Sequence, residues 1–248
     1  MNERRAAGGF AAILAALALT AGTALAATIT GDDGPNVLTG TPEADQIDAL
    51  GGDDRVRALA GGDEVSGGEG NDEIAAGRGD DTIDAGPGAD DVTGDEGHDR
   101  LLGGDGGDVL LGGEKGDAIL GQAGGDELRG AQGRDLIRGR EGDDEEHGGR
   151  GNDVTYAGPG ADVAFGGRGD DRMFARAQVD VAQPGGDAVF SGPGDDAVFV
   201  RDGERDVVGC GAGRDVVFAD SEDVVRRGCE RVRIGEPRPA DDDTEVAQ

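Results

Sequence analysis

The chain has 248 residues, of which 51 are glycine and 54 acidic, with a formal net charge of −31, 3% aromatic residues and no tryptophan. A charge this negative repels a phosphate backbone and argues against nucleic acid as a partner. So little aromatic surface argues against a conventional large core, which leaves either disorder or a repeat stabilised by something cationic.

In chain order, Arg4 and Arg5 form a short basic region, residues 9–19 are apolar, and Thr23, Ala24, Leu25 and Ala26 bring small residues to cleavage positions. This is the pattern of a secretory signal peptide over residues 1–26, too short and too poorly flanked for a membrane span. The expected mature protein is secreted, extracellular and without a membrane span.

A phase of nine residues then begins. Counting by nines from Asn36 meets an aspartate at every step from Asp45 to Asp180, seventeen units without an insertion. Two residues after the marker, the first twelve units carry Leu38, Ile47, Val56, Val65, Ile74, Ile83, Val92, Leu101, Leu110, Ile119, Leu128 and Ile137. Glycines gather at the first, second and fourth positions, where they permit positive φ and close backbone approach, so the first six residues predict a tight turn. The last three predict a short strand whose middle side chain points inward. A turn after every strand makes the chain wind, with two units to a coil. Successive coils stack in parallel about 4.8 Å apart, which predicts an all-β parallel solenoid with a thin aliphatic core.

The stacked turns set carboxylates about 5 Å apart in rows, which repel unless a cation lies between them. Calcium takes six to eight oxygens and suits glycine turns with unshielded carbonyls, whereas magnesium demands a tighter octahedron.

GGEGNDEIA at Gly67–Ala75, GGDGGDVLL at Gly103–Leu111 and GGRGNDVTY at Gly148–Tyr156 resemble the G-G-x-G-x-D-x-U-x nonapeptide of the RTX, or haemolysin-type, calcium-binding repeats. The resemblance is strong over residues 31–183 and loose over 184–232. It implies a parallel β-roll of two short strands per 18-residue coil, with several Ca2+ ions between stacked turns. The implied ligands are sixth-position carboxylates and carbonyls of the glycine loop. By position the carboxylates are Asp72, Asp81, Asp90, Asp99, Asp108, Asp117, Asp126, Asp135, Asp144, Asp153, Asp162 and Asp171. The loop glycines are Gly67, Gly68, Gly70, Gly77, Gly79, Gly103, Gly104, Gly106, Gly148, Gly149 and Gly151. Lys115 in place of a fourth-position glycine weakens Asp117, and the glycine-poor units from Thr41 to Ser66 leave calcium at Asp45, Asp54 and Asp63 unsupported. Glu146 stands at an inward position, where a lone carboxylate is costly, so a local defect is expected near Glu145–His147, with the strand rolled outward or the coil loose.

Beyond Ala175 the phase breaks, and Asp187, Asp196, Asp206, Asp215 and Asp223 follow at irregular spacing with bulkier strands. Residues 27–183 are read as the calcium-binding roll, 184–234 as degenerate repeats forming a C-terminal cap, and 235–248 as a disordered acidic tail. Cys210 and Cys229, 19 residues apart, span about one coil and are expected to form a disulfide across adjacent rungs. Phe165, Phe174, Phe190, Phe199 and Phe218 read as a thickened core with a shifted register in preference to an outward patch.

The chain shows neither H-E-x-x-H nor G-x-S-x-G, and its two histidines and Ser66, Ser191 and Ser221 have no partnered spacing. A non-enzymatic calcium-binding protein is expected, with a structural role or a cell-surface or extracellular partner. The alternative is a calcium-dependent carrier or accessory module of a secreted hydrolase or toxin system.

Overall fold

A computed structural model of the chain describes residues 25–175, 186–226 and 228–236. Most of the expected signal peptide, the phase break around Asp180 and most of the acidic tail lie outside the described residues. Every described element is a strand, and no helix among the described residues is long and apolar enough to cross a membrane.

The strands form two sheets, one of 12 and one of 11 strands. Each takes every second strand in chain order, and the partners run parallel. Ile74 pairs with Val56 on one side and Val92 on the other, 18 residues away in each direction. Two nonapeptides therefore make one coil, and about 11 coils make the solenoid. At the interstrand spacing of a sheet this is a rod on the order of 50 Å long.

The strands reach further than the expected three residues. Glu73–Arg78, Thr82–Pro87, Asp91–Glu96 and Arg100–Asp105 each run from a seventh position to the third position of the next unit. Hydrogen bonding between coils extends through the glycines: Gly68 N–H donates to the Ala85 carbonyl at 2.8 Å, and Gly79 N–H to Glu96 at 2.8 Å. The turn proper is confined to positions four to six.

The eighth-position aliphatics from Leu38 to Ile137 are at most 2% exposed and form one cluster, joined by first-position Ala49, Ala58, Ala76 and Ala85. Burying one such aliphatic side chain is worth about 1.5–3 kcal/mol. Small residues next to the turn let the two sheets close on a core one side chain deep from each.

Glycine is required where coils touch. At Gly79, φ is +139° and a Cβ would lie 1.2 Å from the Gly61 carbonyl oxygen. Where the early units lack glycine at the second position, Leu50 and Leu59 are forced to φ of 75° and 87°, a conformation that costs an ordinary residue roughly 1–2 kcal/mol.

Two expectations are corrected. The strand Glu145–Arg150 neither rolls outward nor loosens; it pairs in register with Glu127–Gln132 and Val163–Arg168, and Glu146 stays fully buried. The backbone ladder outweighs a single unfavourable side chain, because each coil is fixed by its neighbours on both sides. The C-terminal register is likewise unshifted. Val189, Val198, Val208 and Val217 occupy the inward positions, and the phenylalanines stand one position later, on the outer faces, where Phe174 and Phe199 are nonetheless buried at 6% exposure. There they stack in columns, Tyr156–Phe174–Phe199–Phe218 at 4.6–4.7 Å and Phe165–Phe190 at 5.3 Å between ring centroids. The parallel register that stacks aliphatics inside also stacks aromatic rings at the position after them, across steps of 18, 25 and 19 residues. Arg138, Arg201 and Arg226 lie over these rings.

The irregular segment continues both sheets and ends on the exposed strand Arg231–Ile234. Cys210 and Cys229 are joined as expected, with Cα atoms 5.1 Å apart. The bridge ties the last coils together, and closing a loop of this size is worth about 3 kcal/mol.

Candidate metal centres

The sixth-position aspartates form two buried rows, one along each edge of the rod. In the first row Asp72 N–H donates to Asp90 Oδ1 at 2.8 Å, Asp90 to Asp108 at 2.9 Å, Asp108 to Asp126 at 2.9 Å, Asp126 to Asp144 at 2.9 Å, and Asp144 to Asp162 at 2.9 Å. In the second, Asp81, Asp99, Asp117, Asp135, Asp153 and Asp171 are linked the same way, each step at 2.8–2.9 Å. One carboxylate oxygen per residue is thus used to hold the adjacent turn.

The other oxygen is not. Oδ2 of Asp72, Asp81, Asp90, Asp99, Asp108, Asp117, Asp126, Asp135, Asp144, Asp153 and Asp171 is buried without a hydrogen-bond partner. A row of buried carboxylates with one bare oxygen each is unfavourable on two counts, desolvation and like-charge proximity. Burial, opposed by the backbone N–H and reinforced by neighbouring aspartates, pushes Asp90, Asp99 and Asp108 up to about 6. Burial likewise takes Asp135, Asp144 and Asp171 to about 7.

The space beside each bare oxygen is lined with more oxygen. A Cβ on Gly103 would lie 2.3 Å from Asp108 Oδ2 and 2.8 Å from the Gly121 carbonyl oxygen, and one on Gly67 would lie 2.5 Å from both Asp72 Oδ2 and the Ala85 carbonyl oxygen. Gly148 has the same relation to Asp153 Oδ2 and the Gly166 carbonyl. At the second and fourth positions, Gly104 and Gly106 face the Gly86 and Gly88 carbonyl oxygens so closely that a Cβ would come within 1.9 and 1.5 Å of them. Gly68, Gly70, Gly77, Gly79, Gly149 and Gly151 repeat this arrangement on the coil before them, at 2.4 Å or less.

The donors are carboxylate and carbonyl oxygens, the set that hard cations prefer. Buried carboxylates come one to a turn, and no group of three or more His, Cys, Asp or Glu suited to a metal occurs among the described residues. An ion between turns would therefore draw most of its ligands from the backbone, which matches calcium better than zinc. The residues fit the ion.

The rows extend beyond the expected positions in both directions. Asp54 and Asp63 stand in the same ladder with bare, buried Oδ2 atoms. Asp45 differs, because Thr41 donates to both of its carboxylate oxygens. Downstream, Asp162 N–H donates to Asp187 Oδ1 at 3.0 Å and Asp171 N–H to Asp196 at 2.9 Å, so the ladder passes over a step of 25 residues. It continues to Asp206 and Asp215. These four lie outside the expected ligand set because the nine-residue phase breaks before them, although the turns before Asp196 and Asp215 keep Gly192 and Gly194, and Gly211 and Gly213. The surviving signal is the marker aspartate two residues before an inward valine. Lys115 takes the fourth position at φ 74°, and Asp117 keeps its place in the row.

A two-sheet parallel β-roll with oxygen-lined gaps between its turns defines a calcium-binding repeat solenoid. The RTX calcium-binding nonapeptide repeat model matches residues 30–65, 66–101, 102–137, 120–155 and 147–182, and the chain belongs to that family. Its repeats bind calcium, at several sites. No curated protein matches the chain.

Proposed function

We propose that this is an exported, non-enzymatic protein whose rod is assembled by calcium and serves a structural or cell-surface interaction role. The observation that carries the reading is the double row of buried aspartates, one oxygen of each holding the next turn and the second bare in eleven of the twelve expected ligands, Asp72 to Asp153 and Asp171. In this reading Asp72, Asp90, Asp108, Asp126, Asp144 and Asp162 hold ions along one edge, and Asp81, Asp99, Asp117, Asp135, Asp153 and Asp171 along the other. Carbonyls of the glycine loops complete each shell. Calcium neutralises the rows and lets the coils stack, so binding and folding are one event. Ions bound only by the folded rod each add about 1.4 kcal/mol at ten times the dissociation constant, and extracellular calcium modules bind at roughly 10⁻⁴–10⁻³ M.

Export is supported by the basic-then-apolar pattern of residues 1–26 and by the Cys210–Cys229 bridge, which suits an oxidising compartment. Equilibrium dialysis of the full chain against calcium at neutral pH is expected to give cooperative uptake of several ions per chain, with magnesium a poor substitute. Uptake of one ion or none up to about 10 mM calcium, well above that affinity range, would overturn the reading.

A further inference from the structure

One coil differs from the others in the chemistry of its gap. Glu146 lies in the inward column between Leu128 and Ala164, is 0% exposed, and has two buried carboxylate oxygens without a well-formed hydrogen bond, the Gly139 N–H being the one donor beside them. Leu128, one coil earlier, shows what the position ordinarily holds, so packing gives no reason for a carboxylate. The core itself is interrupted here: one apolar cluster ends at Ile137 and the next begins at Ala157. Thr155, the inward residue of the next unit, also has a buried, unpartnered hydroxyl.

The Glu146 side chain is aimed at the aspartate row. A Cβ on Gly139 would lie 2.2 Å from Asp144 Oδ2, 2.6 Å from the Ala157 carbonyl oxygen and 2.8 Å from Glu146 Oε1. At Gly121 and Gly130 the nearest oxygens are those of the aspartate and the carbonyl, Asp126 with Gly139 and Asp135 with Gly148, and the inward residues of those units, Leu128 and Ile137, have no side-chain oxygen to add. Three oxygens therefore converge where the other gaps bring two, and the third comes from the core side.

We propose that Glu146 is a metal ligand, supplying an additional carboxylate to the calcium ion held between the turn at residues 139–144 and the turn at residues 157–162. This rests on the calcium reading above and adds a residue outside the nonapeptide's binding positions. Calcium affinity rises with the number of charged ligands, so this gap is the tightest site of the rod and fills first. It sits at the seam between the two apolar clusters and joins them.

The test is calorimetric titration of the full chain with calcium, comparing wild type with Glu146→Gln and Glu146→Leu. Wild type is expected to show one ion bound at least about tenfold more tightly than the rest, in line with the effect of ligand charge. Glu146→Gln should abolish that tight phase and leave the remaining uptake unchanged. Glu146→Leu, which restores the side chain found one coil earlier, should fold in calcium and also lack the tight phase. If Glu146 were only a tolerated core defect, Glu146→Leu would raise calcium-free stability and leave the isotherm as in wild type; that result overturns the proposal. Unchanged isotherms in both variants, with several ions still bound, would remove Glu146 as a ligand while leaving the calcium reading standing. A wild-type chain that binds no calcium would instead defeat the underlying reading.

Discussion

Acid should fold the calcium-free protein. In chelator at pH 7.5 the full chain is expected to give the circular dichroism of an expanded polymer, and lowering the pH toward 4.5 should bring back the β-sheet signal. The row aspartates have folded-state values above the ordinary 3.8: about 6 for Asp63, Asp90, Asp99, Asp108 and Asp117. They reach about 7 for Asp135, Asp144 and Asp171. A carboxyl whose value is raised on folding is bound to its proton more tightly in the rod than in the unfolded chain. Its contribution is fully present below about pH 4 and is lost as the pH climbs through 6 to 7. Moving one carboxyl from 3.8 to about 6 corresponds to roughly 3 kcal/mol. Even a few such groups are comparable with the 5–15 kcal/mol of net stability that domains usually have. Calcium reverses the sign, since it requires the carboxylates ionised: its apparent affinity should fall as the pH drops through the same window. A calcium-free chain that is equally folded at pH 7.5 and 4.5 would contradict the burial of charge in the rows.

Two substitutions at Asp108 should separate the two jobs of one side chain. Asp108 Oδ1 accepts the Asp90 N–H at 2.9 Å, and its Oδ2 is buried and bare. Asn keeps an acceptor for that N–H and removes the charge. Asp108→Asn is therefore expected to stabilise the rod in chelator, moving its acid refolding to higher pH. It should weaken the calcium form, raising the calcium needed for folding by about tenfold as a charged ligand is lost. Asp108→Ala removes both functions and strands a buried N–H, at a cost of about 1–3 kcal/mol, so it should destabilise the rod with and without calcium. Chemical denaturation in chelator at pH 4.5 and in calcium at pH 7.5 measures all four values. If Asn and Ala behaved alike in both conditions, the hydrogen-bonding and ion-binding roles would not be separable as described.

Much of this architecture is legible in the chain itself. An unbroken nine-residue phase and the aliphatics from Leu38 to Ile137 specify coil length, inward face and parallel stacking, because the period repeats every side chain in the same place. The Cys210–Cys229 pairing follows from a separation close to one coil. What escapes is whatever depends on neighbours in the stack. The strands run into the glycine positions because interstrand hydrogen bonds continue there, a property of the stacked pair and not of either segment. Glu146 suggests a defect when read alone, yet the coils on either side hold its strand in register. The phenylalanines read as inward core because bulk usually means burial, whereas here Val198 and Val217 take the inward positions and Phe199 is buried one position later, between the stacked rings of Phe174 and Phe218. Asp187, Asp196, Asp206 and Asp215 carry the rows onward after the nine-residue spacing is broken, which a count by nines cannot reveal.

The central claim is that calcium and the fold are inseparable at neutral pH, and small-angle X-ray scattering tests it most directly. The full chain would be measured at pH 7.5 in chelator and again after calcium is added. The expected result is a radius of gyration near the roughly 50 Å of an unfolded chain of this length, collapsing in calcium to the profile of a short, thin rod. The same compact rod in chelator and in calcium would contradict it.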